Sequence, residues 1–144
     1  MHKPETDKYG TLRWYNEKGQ FHRKDGPAFI KYNGDCVWHK NGELHRIDDP
    51  AIERTNGSKE WWVDDKRHRE DGPALIRPNG DCVWYKNGEL HRIDGPAIER
   101  TNGSKEWWVD GKRHREDGPA VEWTSGHKQW WIDGKIVKGE NAQT

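Results

Sequence analysis

Long apolar runs and an excess of charge of either sign are both missing from this sequence. Hydrophobic residues make up only 30% of the chain. No stretch approaches the roughly 18 apolar residues that a membrane-spanning helix needs, and no signal-peptide pattern is present, so we expect a soluble protein. The formal net charge is zero and no basic tail is present. This balance argues against bulk binding to nucleic acid and against membrane binding.

The shortage of hydrophobic residues, with 35% of the chain charged, is typical of disordered sequences. Ten tryptophans at regular spacing indicate the opposite, because each indole ring can bury a large apolar area. We therefore expect a folded chain with a thin aromatic core.

A motif of the form His-Arg-x-Asp-Gly-Pro-Ala recurs along the chain at a fixed step of 23 residues. Its histidines are His22, His45, His68, His91 and His114. A strict period of this length indicates a repeat array and not a fold with one centre. A second period of 46 residues is superimposed, because the segments 33–74 and 79–120 differ at only three positions.

Cysteine is almost absent, and the two that occur, Cys36 and Cys82, are two repeats apart. If each repeat adds two strands at about 4.8 Å, the two thiols lie on the order of 19 Å apart. A disulfide needs Cα atoms within about 7 Å. We therefore expect two free thiols and a cytoplasmic, reducing location.

Each repeat has the pattern of two strands joined by tight turns. Asp81–Lys86 alternates and contains Val, Trp and Tyr, which favours a strand. The Asn87-Gly88 pair that follows predicts a hairpin turn with positive φ at both positions. Glu89–Ile93 returns antiparallel. The segment 94–96 (Asp-Gly-Pro) then interrupts the ladder, because proline has no N–H to donate.

No segment shows helical periodicity free of Gly or Pro. We predict an all-β fold, an elongated antiparallel β-meander of stacked 23-residue hairpin repeats in a single-layer sheet. Residues 1–144 form one repeat domain, with about five to six repeats over 12–134. Residues 1–11 are predicted to be a tail or a cap on the first strand, and residues 135–144 a cap or tail. The unpaired edge at each end leaves edge-to-edge self-association open.

The two ends of the array depart from the regular pattern. The adjacent Trp14 and Tyr15 suggest a first hairpin loop one residue longer than the others. Trp123–Ile132 is the last complete strand region that we predict, with a turn at Asp133-Gly134.

Two aromatic columns follow from the 23-residue step. The first contains Tyr15, Trp38, Trp61, Trp84, Trp107 and Trp130. The second contains Asn16, His39, Trp62, Tyr85, Trp108 and Trp131. Consecutive strand residues face opposite sides, so the two columns lie on opposite faces. We expect the first column in the core. The second is either a partly exposed contact strip or is covered by the bent return strands.

The repeated His and Asp could act as an acid–base pair or ligate a metal. A catalytic site is normally built once, whereas five copies at a step of about 9.6 Å are too far apart to share a metal. One repeat offers fewer ligands than a stable zinc site needs. We therefore predict a structural role, in which Asp94 bonds the turn backbone, Arg92 pairs with an aspartate and His91 stacks or hydrogen-bonds beside its equivalents. No catalytic residue, metal or cofactor is predicted.

Two acidic substitutions break the glycine pattern. Asp49 stands where the other repeats have Gly26, Gly72, Gly95 and Gly118, and Asp65 stands at the turn position of Gly42, Gly88 and Gly111. Asp tolerates left-handed φ at a cost of about 1 kcal/mol, so Asp65→Gly is expected to raise the melting temperature. Drift is the interpretation that we favour, and a local acidic site is the alternative.

In the stretches WYKNGELHRIDGPA and WWVDGKRHREDGPA, Trp-x-x-x-Gly is followed by Gly-x-Ala within a 23-residue hairpin unit, and this pattern resembles the MORN repeat, which ends in Gly-x-Gly. The resemblance covers about Trp14 to Gly134. The sequence looks like a divergent form of the repeat, of the kind found in phage, large-virus and bacterial antitoxin-like proteins. It implies an elongated sheet that serves as a scaffold for protein contacts. Lipid binding, sometimes attributed to the family, is opposed by the zero net charge.

Three functional hypotheses follow, and a non-enzymatic scaffold for protein–protein interaction leads. The alternative is sequestration of a planar ligand such as a nucleotide on an aromatic surface flanked by arginines. Hydrolysis by a His–Asp pair is the least favoured. The candidate partner-binding or ligand-binding residues are Trp62, Tyr85, Trp108, Trp131, Arg69, Arg92 and Arg115.

Overall fold

The structure, a computed structural model, describes residues 3–140. The predicted tail or cap residues 1–2 and 141–144 lie outside the described residues. The described chain forms 21 short strands and no helix. The strands are β1 (Glu5–Thr6), β2 (Leu12–Arg13), β3 (Phe29–Ile30), β4 (Cys36–Val37), β5 (His39–Lys40), β6 (Glu43–Leu44), β7 (Ile52–Glu53), β8 (Lys59–Glu60), β9 (Trp62–Val63), β10 (Lys66–Arg67), β11 (Leu75–Ile76), β12 (Cys82–Val83), β13 (Tyr85–Lys86), β14 (Glu89–Leu90), β15 (Ile98–Glu99), β16 (Lys105–Glu106), β17 (Trp108–Val109), β18 (Lys112–Arg113), β19 (Val121–Glu122), β20 (Lys128–Ile132) and β21 (Lys135–Glu140).

Thirteen of the strands form one long antiparallel meander. Their order follows the chain, as β1-β2-β3-β4-β7-β8-β11-β12-β15-β16-β19-β20-β21. The other strands form two-stranded hairpins, β5–β6, β9–β10, β13–β14 and β17–β18. The predicted all-β meander of hairpin repeats is confirmed. Glu5–Thr6 pairs with Leu12–Arg13, so the chain before Leu12 adds an edge strand to the sheet.

The two turns of each repeat differ in type. In the β13–β14 turn, φ is 50° at Asn87 and 83° at Gly88, which confirms the predicted positive φ at both positions. In the turn before β16, only the glycine is left-handed, with φ of 97° at Gly103. There the Gly103 N–H donates to the Arg100 carbonyl at 2.9 Å, and the Arg100 N–H donates to the Ser104 carbonyl at 3.0 Å.

Each outgoing strand changes partners at its tryptophan. Trp84 separates β12 in the sheet from β13 in the hairpin. Its N–H donates to the Ala97 carbonyl at 2.7 Å, and its carbonyl accepts the His91 N–H at 3.2 Å. The return strand is split too, because residues 91–97 lie outside any strand, as the Asp-Gly-Pro interruption predicts.

The core is thin and consists of one row of residues on each face of the meander. One row holds small residues with no exposed surface, namely Ala28, Ala51, Ala74, Ala97 and Ala120. The other row holds the buried Ile52, Leu75, Val83 and Val121 together with two buried carboxylates, Glu60 and Glu106. Of the two aromatic columns, Trp61 is buried, with 8% of its surface exposed, and the other described members are half-buried.

The first repeat corrects the predicted columns. Trp14 donates its N–H to the Ala28 carbonyl at 2.8 Å, as the other column tryptophans do to their alanines, and Tyr15 pairs with Phe21. Trp14 therefore begins the first column and Tyr15 the second, where Tyr15 and Asn16 were expected. The cause is the predicted extra residue in the first hairpin loop, which shifts the register by one.

The last repeat also differs from expectation. Trp123–Ile132 is not one strand region, because Gly126, with φ of 94°, makes a turn between β19 and β20. The Gly126 N–H donates to the Trp123 carbonyl at 2.9 Å. Beyond this turn β20 and β21 form a single long hairpin, with an irregularity between Trp130 and Trp131.

Candidate binding surface: the loop row and the aromatic stripe

Five loops that carry the repeated motif lie side by side along the meander. We call them the loop row, and they are residues 22–27, 45–50, 68–73, 91–96 and 114–119. In each loop the arginine guanidinium lies over the indole of the same repeat. The distances from guanidinium carbon to ring centroid are 3.9 Å for Arg23 and Trp14, 3.8 Å for Arg46 and Trp38, 4.0 Å for Arg69 and Trp61, 3.9 Å for Arg92 and Trp84, and 3.9 Å for Arg115 and Trp107. Such cation–π stacks hold each loop against the sheet.

Hydrogen bonds hold each guanidinium in the same place. Arg92 donates through Nη1 to the Pro96 carbonyl at 3.1 Å and through Nε to Asp94 Oδ1 at 3.1 Å. The predicted pairing of Arg92 with an aspartate is confirmed. Arg69 and Arg115 repeat both contacts with their own loops.

The motif glycine makes room for this guanidinium and does not adopt a left-handed φ. A Cβ built on Gly95 would lie 2.9 Å from Arg92 Cζ, so the guanidinium would have to shift to accommodate a side chain. The loop that carries Asp49 has adapted. Asp48 there adopts φ of 71°, and Arg46 Nη2 lies 3.7 Å from Asp49 Oδ2.

The motif histidines connect neighbouring repeats. In every case Nδ1 accepts the backbone N–H of the first turn residue in the next repeat. The pairs are His22 with Asn41 at 3.0 Å, His45 with Asp64 at 3.1 Å, His68 with Asn87 at 3.0 Å, His91 with Asp110 at 3.0 Å and His114 with Asp133 at 3.0 Å. An acceptor Nδ1 places the proton of the neutral ring on Nε2. The histidine of a motif therefore binds the next repeat, whereas the aspartate of the same motif binds its own arginine, as His91 and Asp94 do.

Grooves separate successive loops of the loop row. One, of about 600 Å³, lies between residues 69–72 and 91–94 and has Trp84 and Lys86 in its lining. The next, of about 660 Å³, lies between residues 92–96 and 114–117 and has Trp107 and Val109 in its lining. Ile93 borders both grooves, and 77% of its surface is exposed. The row therefore presents the same groove more than once.

The second aromatic column forms a continuous stripe on the other face. We call it the aromatic stripe, and its members are Tyr15, Phe21, His39, Leu44, Trp62, Arg67, Tyr85, Leu90, Trp108, Arg113 and Trp131. Return-strand side chains alternate with the aromatic ones, because Arg67 lies 5.1 Å from the Trp62 ring and 5.4 Å from the Tyr85 ring. All its members are half-buried. The return strands thus fill the gaps between the rings without covering them.

The structure brings together only some of the residues that the sequence singled out. Trp62, Tyr85, Trp108 and Trp131 share the aromatic stripe. Arg69, Arg92 and Arg115 do not flank it, because they lie over first-column indoles in the loop row. The arginines that reach the stripe are Arg67 and Arg113, which the sequence reasoning missed. Hairpin pairing across the two-residue turns is the signal that could have found them, because it places them opposite Trp62 and Trp108.

Two buried carboxylates anchor the stripe arginines. Glu60 Oε1 accepts from Trp62 Nε1 at 3.2 Å and from Arg67 Nη2 at 3.1 Å, and its Oε2 accepts from Arg54 Nη1 at 2.7 Å. Burial opposes ionisation of Glu60, but the hydrogen bonds from Arg54 and Arg67 outweigh it, so the pKa of Glu60 lies below its usual value. Glu106 makes the same contacts, and its pKa is lowered for the same reasons.

A cationic cleft opens at the end of the aromatic stripe. It has a volume of about 380 Å³ and is lined by Trp108, Trp131, Lys112, Arg113, Asp133 and Lys135, with two turn glycines. Arg113 occupies the space between the two indoles, 5.2 Å from the Trp108 ring and 5.0 Å from the Trp131 ring. A planar ligand would therefore stack on the outer side of one indole and not between the two.

The remaining chemistry of the described residues is limited. Cys36 and Cys82 are free and half-buried, as expected, and burial raises the pKa of both thiols. Residues 3–140 contain no group of three His, Cys, Asp or Glu side chains arranged to hold a metal ion. In the same range no helix is long and apolar enough to cross a membrane. Comparison with known proteins gives no match, either to a protein-family model or to a curated protein.

Proposed function

We propose that this chain is a non-enzymatic repeat scaffold that binds a protein partner along the loop row. The observation that carries the proposal is the recurrence of the same groove between successive loops, with an exposed isoleucine between two of them. A surface that repeats suits an extended partner, whereas a catalytic centre is normally single. The MORN-like resemblance favours the same class and extends the proposal to a viral or antitoxin-like protein in the cytoplasm.

The loop row has two properties that favour partner binding. Ile47 and Ile93, at equivalent positions two repeats apart, are 60% and 77% exposed. Exposed apolar side chains at regular positions are typical of contact surfaces. Each loop is also held by its arginine–indole stack, so little conformational freedom is lost on binding.

Site-specific photo-crosslinking in the native cell tests this proposal. A photoreactive residue at Ile93 or at Ile47 is expected to crosslink one common partner. The matched control is Val137 on β21, which is 65% exposed but lies outside the loop row. Equal crosslinking from position 137, or none from position 93, would contradict the proposal.

The cationic cleft favours a second candidate function, sequestration of a planar anionic ligand such as a nucleotide. Lys112, Arg113 and Lys135 surround two indoles there, and Asp133 is the carboxylate in the lining. Arg113 is paired with Glu106, so the two lysines carry the unpaired positive charge of the cleft. Nucleotides are expected to quench tryptophan fluorescence, and Lys112→Gln with Lys135→Gln is expected to abolish the effect. Lys66→Gln is the matched control, because Lys66 occupies the position of Lys112 two repeats earlier. Quenching that survives the double substitution would exclude this cleft.

Hydrolysis by a His–Asp pair is the least favoured proposal. The motif histidine accepts from the next repeat through Nδ1, and the motif aspartate accepts from its own arginine. The substitution His91→Ala is therefore expected to lower the free energy of unfolding, because the Asp110 N–H loses its acceptor. Loss of a hydrolytic activity in a variant that stays folded would support the enzyme instead.

A further inference from the structure

We propose that the loop row receives a basic segment in the polyproline II conformation, which crosses the loops and places every third residue in a groove. This inference rests on the proposed function, in which the loop row is the binding surface, and names the class of partner. Three observations carry it: the spacing of the loops, the lining of the grooves and the charge at their rims.

The spacing of the loops matches polyproline II. Successive loops enter the meander two strands apart, for example at β15 and β19, which corresponds to about 9.6 Å. A polyproline II helix has three residues per turn and rises about 3.1 Å per residue, so the same face returns every 9.3 Å or so. A β-strand repeats a face every two residues, or about 6.7 Å, and falls out of step at the second groove.

The lining of the grooves suits a proline-rich chain. Trp84 lines the first groove and Trp107 the second, and Val109 and Ile93 add apolar surface. Aromatic-lined grooves are a recurrent way to recognise polyproline II segments, because this conformation is stiff before binding and little entropy is lost. Both indoles are fixed by their arginines at 3.9 Å, so the grooves are present before a partner arrives.

The rims of these grooves expose negative charge although the chain is neutral overall. Carboxylates at the loop tips have 81–90% of their side-chain surface exposed, in the set Glu70, Asp71, Asp94, Glu116 and Asp117. The loop arginines that balance them are only 22–25% exposed, in the set Arg69, Arg92 and Arg115. Lys86, in the lining of the first groove, is the exposed cation among these carboxylates. Exposed negative charge still predominates at the loop tips, which favours lysine or arginine in the bound segment.

The test uses the full chain and synthetic peptides in fluorescence anisotropy. The probe is (Pro-Pro-Lys)4, in which one lysine recurs at each turn of the helix. One comparator has the same composition with all lysines at one end, and the other is (Gly-Ser-Lys)4, which keeps the lysine spacing in a flexible chain. The probe is expected to bind about tenfold or more tightly than either comparator.

Substitutions on the loop row locate the site. Ile93→Lys is expected to weaken binding about tenfold, because it places a cation between the two grooves. Glu70→Gln with Glu116→Gln is expected to weaken it less and to reduce its salt dependence. Val137→Lys on β21 introduces the same charge at an exposed position away from the loop row and is expected to leave binding unchanged. Thermal melts of each variant verify the fold.

Each alternative result overturns the inference in a distinct way. If (Gly-Ser-Lys)4 binds as tightly as the probe, the polyproline II conformation is irrelevant. If the peptide with its lysines at one end binds as tightly as the probe, the spacing of the lysines is irrelevant. Self-association that Ile93→Lys disrupts would assign the grooves to a second copy of the chain. If no peptide binds but position 93 still crosslinks a partner, the proposed function survives and this inference fails. If position 93 also crosslinks nothing, both fail.

Discussion

Two neighbouring repeats build the same backbone around opposite kinds of core. In one, Val83 is 4% exposed and lies beside Tyr85 and Leu90. In the next, Glu106 occupies the same position and is 3% exposed, with Trp108 and Arg113 at the equivalent places. The strands pair identically in the two repeats. The meander therefore accepts an apolar side chain at this position when its neighbours are apolar, and a carboxylate when its neighbours donate hydrogen bonds.

The neighbours of Glu106 suit a carboxylate because they provide three hydrogen-bond donors. Glu106 accepts from Trp108 Nε1 at 3.2 Å, from Arg113 Nη2 at 3.2 Å and from Arg100 Nη1 at 2.8 Å. A buried ion cluster of this kind adds little stability over well-packed apolar residues, because desolvation cancels the attraction. Removal of the carboxylate is costly, because both arginines lose a charge-assisted hydrogen bond, although 33% of the Arg100 and 29% of the Arg113 side-chain surface remains in contact with water.

The largest effect is expected from breaking the cluster at its centre. Glu106→Ala leaves Arg100 and Arg113 without their shared acceptor and is expected to lower the free energy of unfolding by about 3 kcal/mol, because two charge-assisted hydrogen bonds are lost while both guanidinium groups can still reach water. Val83→Ala, at the same position one repeat earlier, is expected to cost about 2 kcal/mol through lost burial and a cavity. Urea denaturation measures both. Equal losses of unfolding free energy in the two variants would mean that Glu106 stabilises the fold only by filling space and not by its hydrogen bonds.

An exchange of three core residues for those of the preceding repeat is the control. The variant Glu106→Val/Trp108→Tyr/Arg113→Leu carries the residues of the preceding repeat. It is expected to unfold within about 1 kcal/mol of the parent protein, because the acceptor is removed together with two of its three donors. The third donor, Arg100, stays, as Arg77 does at the same position beside Val83. A loss as large as that of Glu106→Ala would contradict the equivalence of the two cores.

Acid is expected to weaken the carboxylate repeats selectively. The pKa values of Glu60 and Glu106 are lower in the folded protein than the usual glutamate value of about 4.3. Their contribution to stability is therefore complete above that value and is lost as the pH falls through their folded-state pKa. Melting temperatures measured from pH 6 downward, at intervals of about one unit, should fall less steeply in the exchanged variant than in the parent. Parallel curves would argue against the role of Glu106.

The loop row offers a smaller contrast, between the loop with Asp49 and the loop with Gly95. Gly95→Ala places a Cβ against the Arg92 guanidinium and is expected to cost about 1 kcal/mol, because the guanidinium must shift from its stack on Trp84. Asp49→Gly lets the altered loop adopt the common conformation and is expected to stabilise by up to about 1 kcal/mol, because Asp48 can leave φ of 71°. Thermal unfolding measures both changes. A destabilised Asp49→Gly variant would point to a specific role for that carboxylate.

The smallest effect is expected for Asp65→Gly, at one of the hairpin turns. Asp65 does adopt a left-handed φ of 65°, as predicted, but its Oδ1 also accepts the Leu44 N–H at 3.1 Å. Asp65→Gly therefore relieves strain and loses a hydrogen bond, and the net change is expected to stay within about 0.5 kcal/mol. The sequence alone led us to expect a higher melting temperature.

The reverse substitution sharpens this comparison. Gly111 occupies the turn position of Asp65 two repeats later, and a Cβ built there lies 2.8 Å from Glu89 Oε2. Gly111→Asp is expected to cost about 1 kcal/mol or more, because it adds strain and like charge together. Equal melting temperatures for the parent and the Gly111→Asp variant would contradict this reading of the turn.

The repeat period was enough to predict the all-β meander and the turns, because Asn-Gly pairs and the Asp-Gly-Pro break recur in register. Placement of the arginines was not predictable in the same way. Arg67 and Arg69 are two residues apart and would share a face on a straight strand, but β10 ends at Arg67. Beyond it the chain leaves the ladder, and Arg69 turns back over Trp61.

The histidine contacts give the array a direction. Each ring belongs to one repeat and accepts the N–H of a turn residue in the following one, as His91 does from Asp110. Shortening the array from its C-terminal end leaves every remaining turn with its acceptor, whereas shortening it from the other end deprives the new first turn. A chain that emerges from the ribosome in this order can add one finished repeat after another, each guided by the histidine before it.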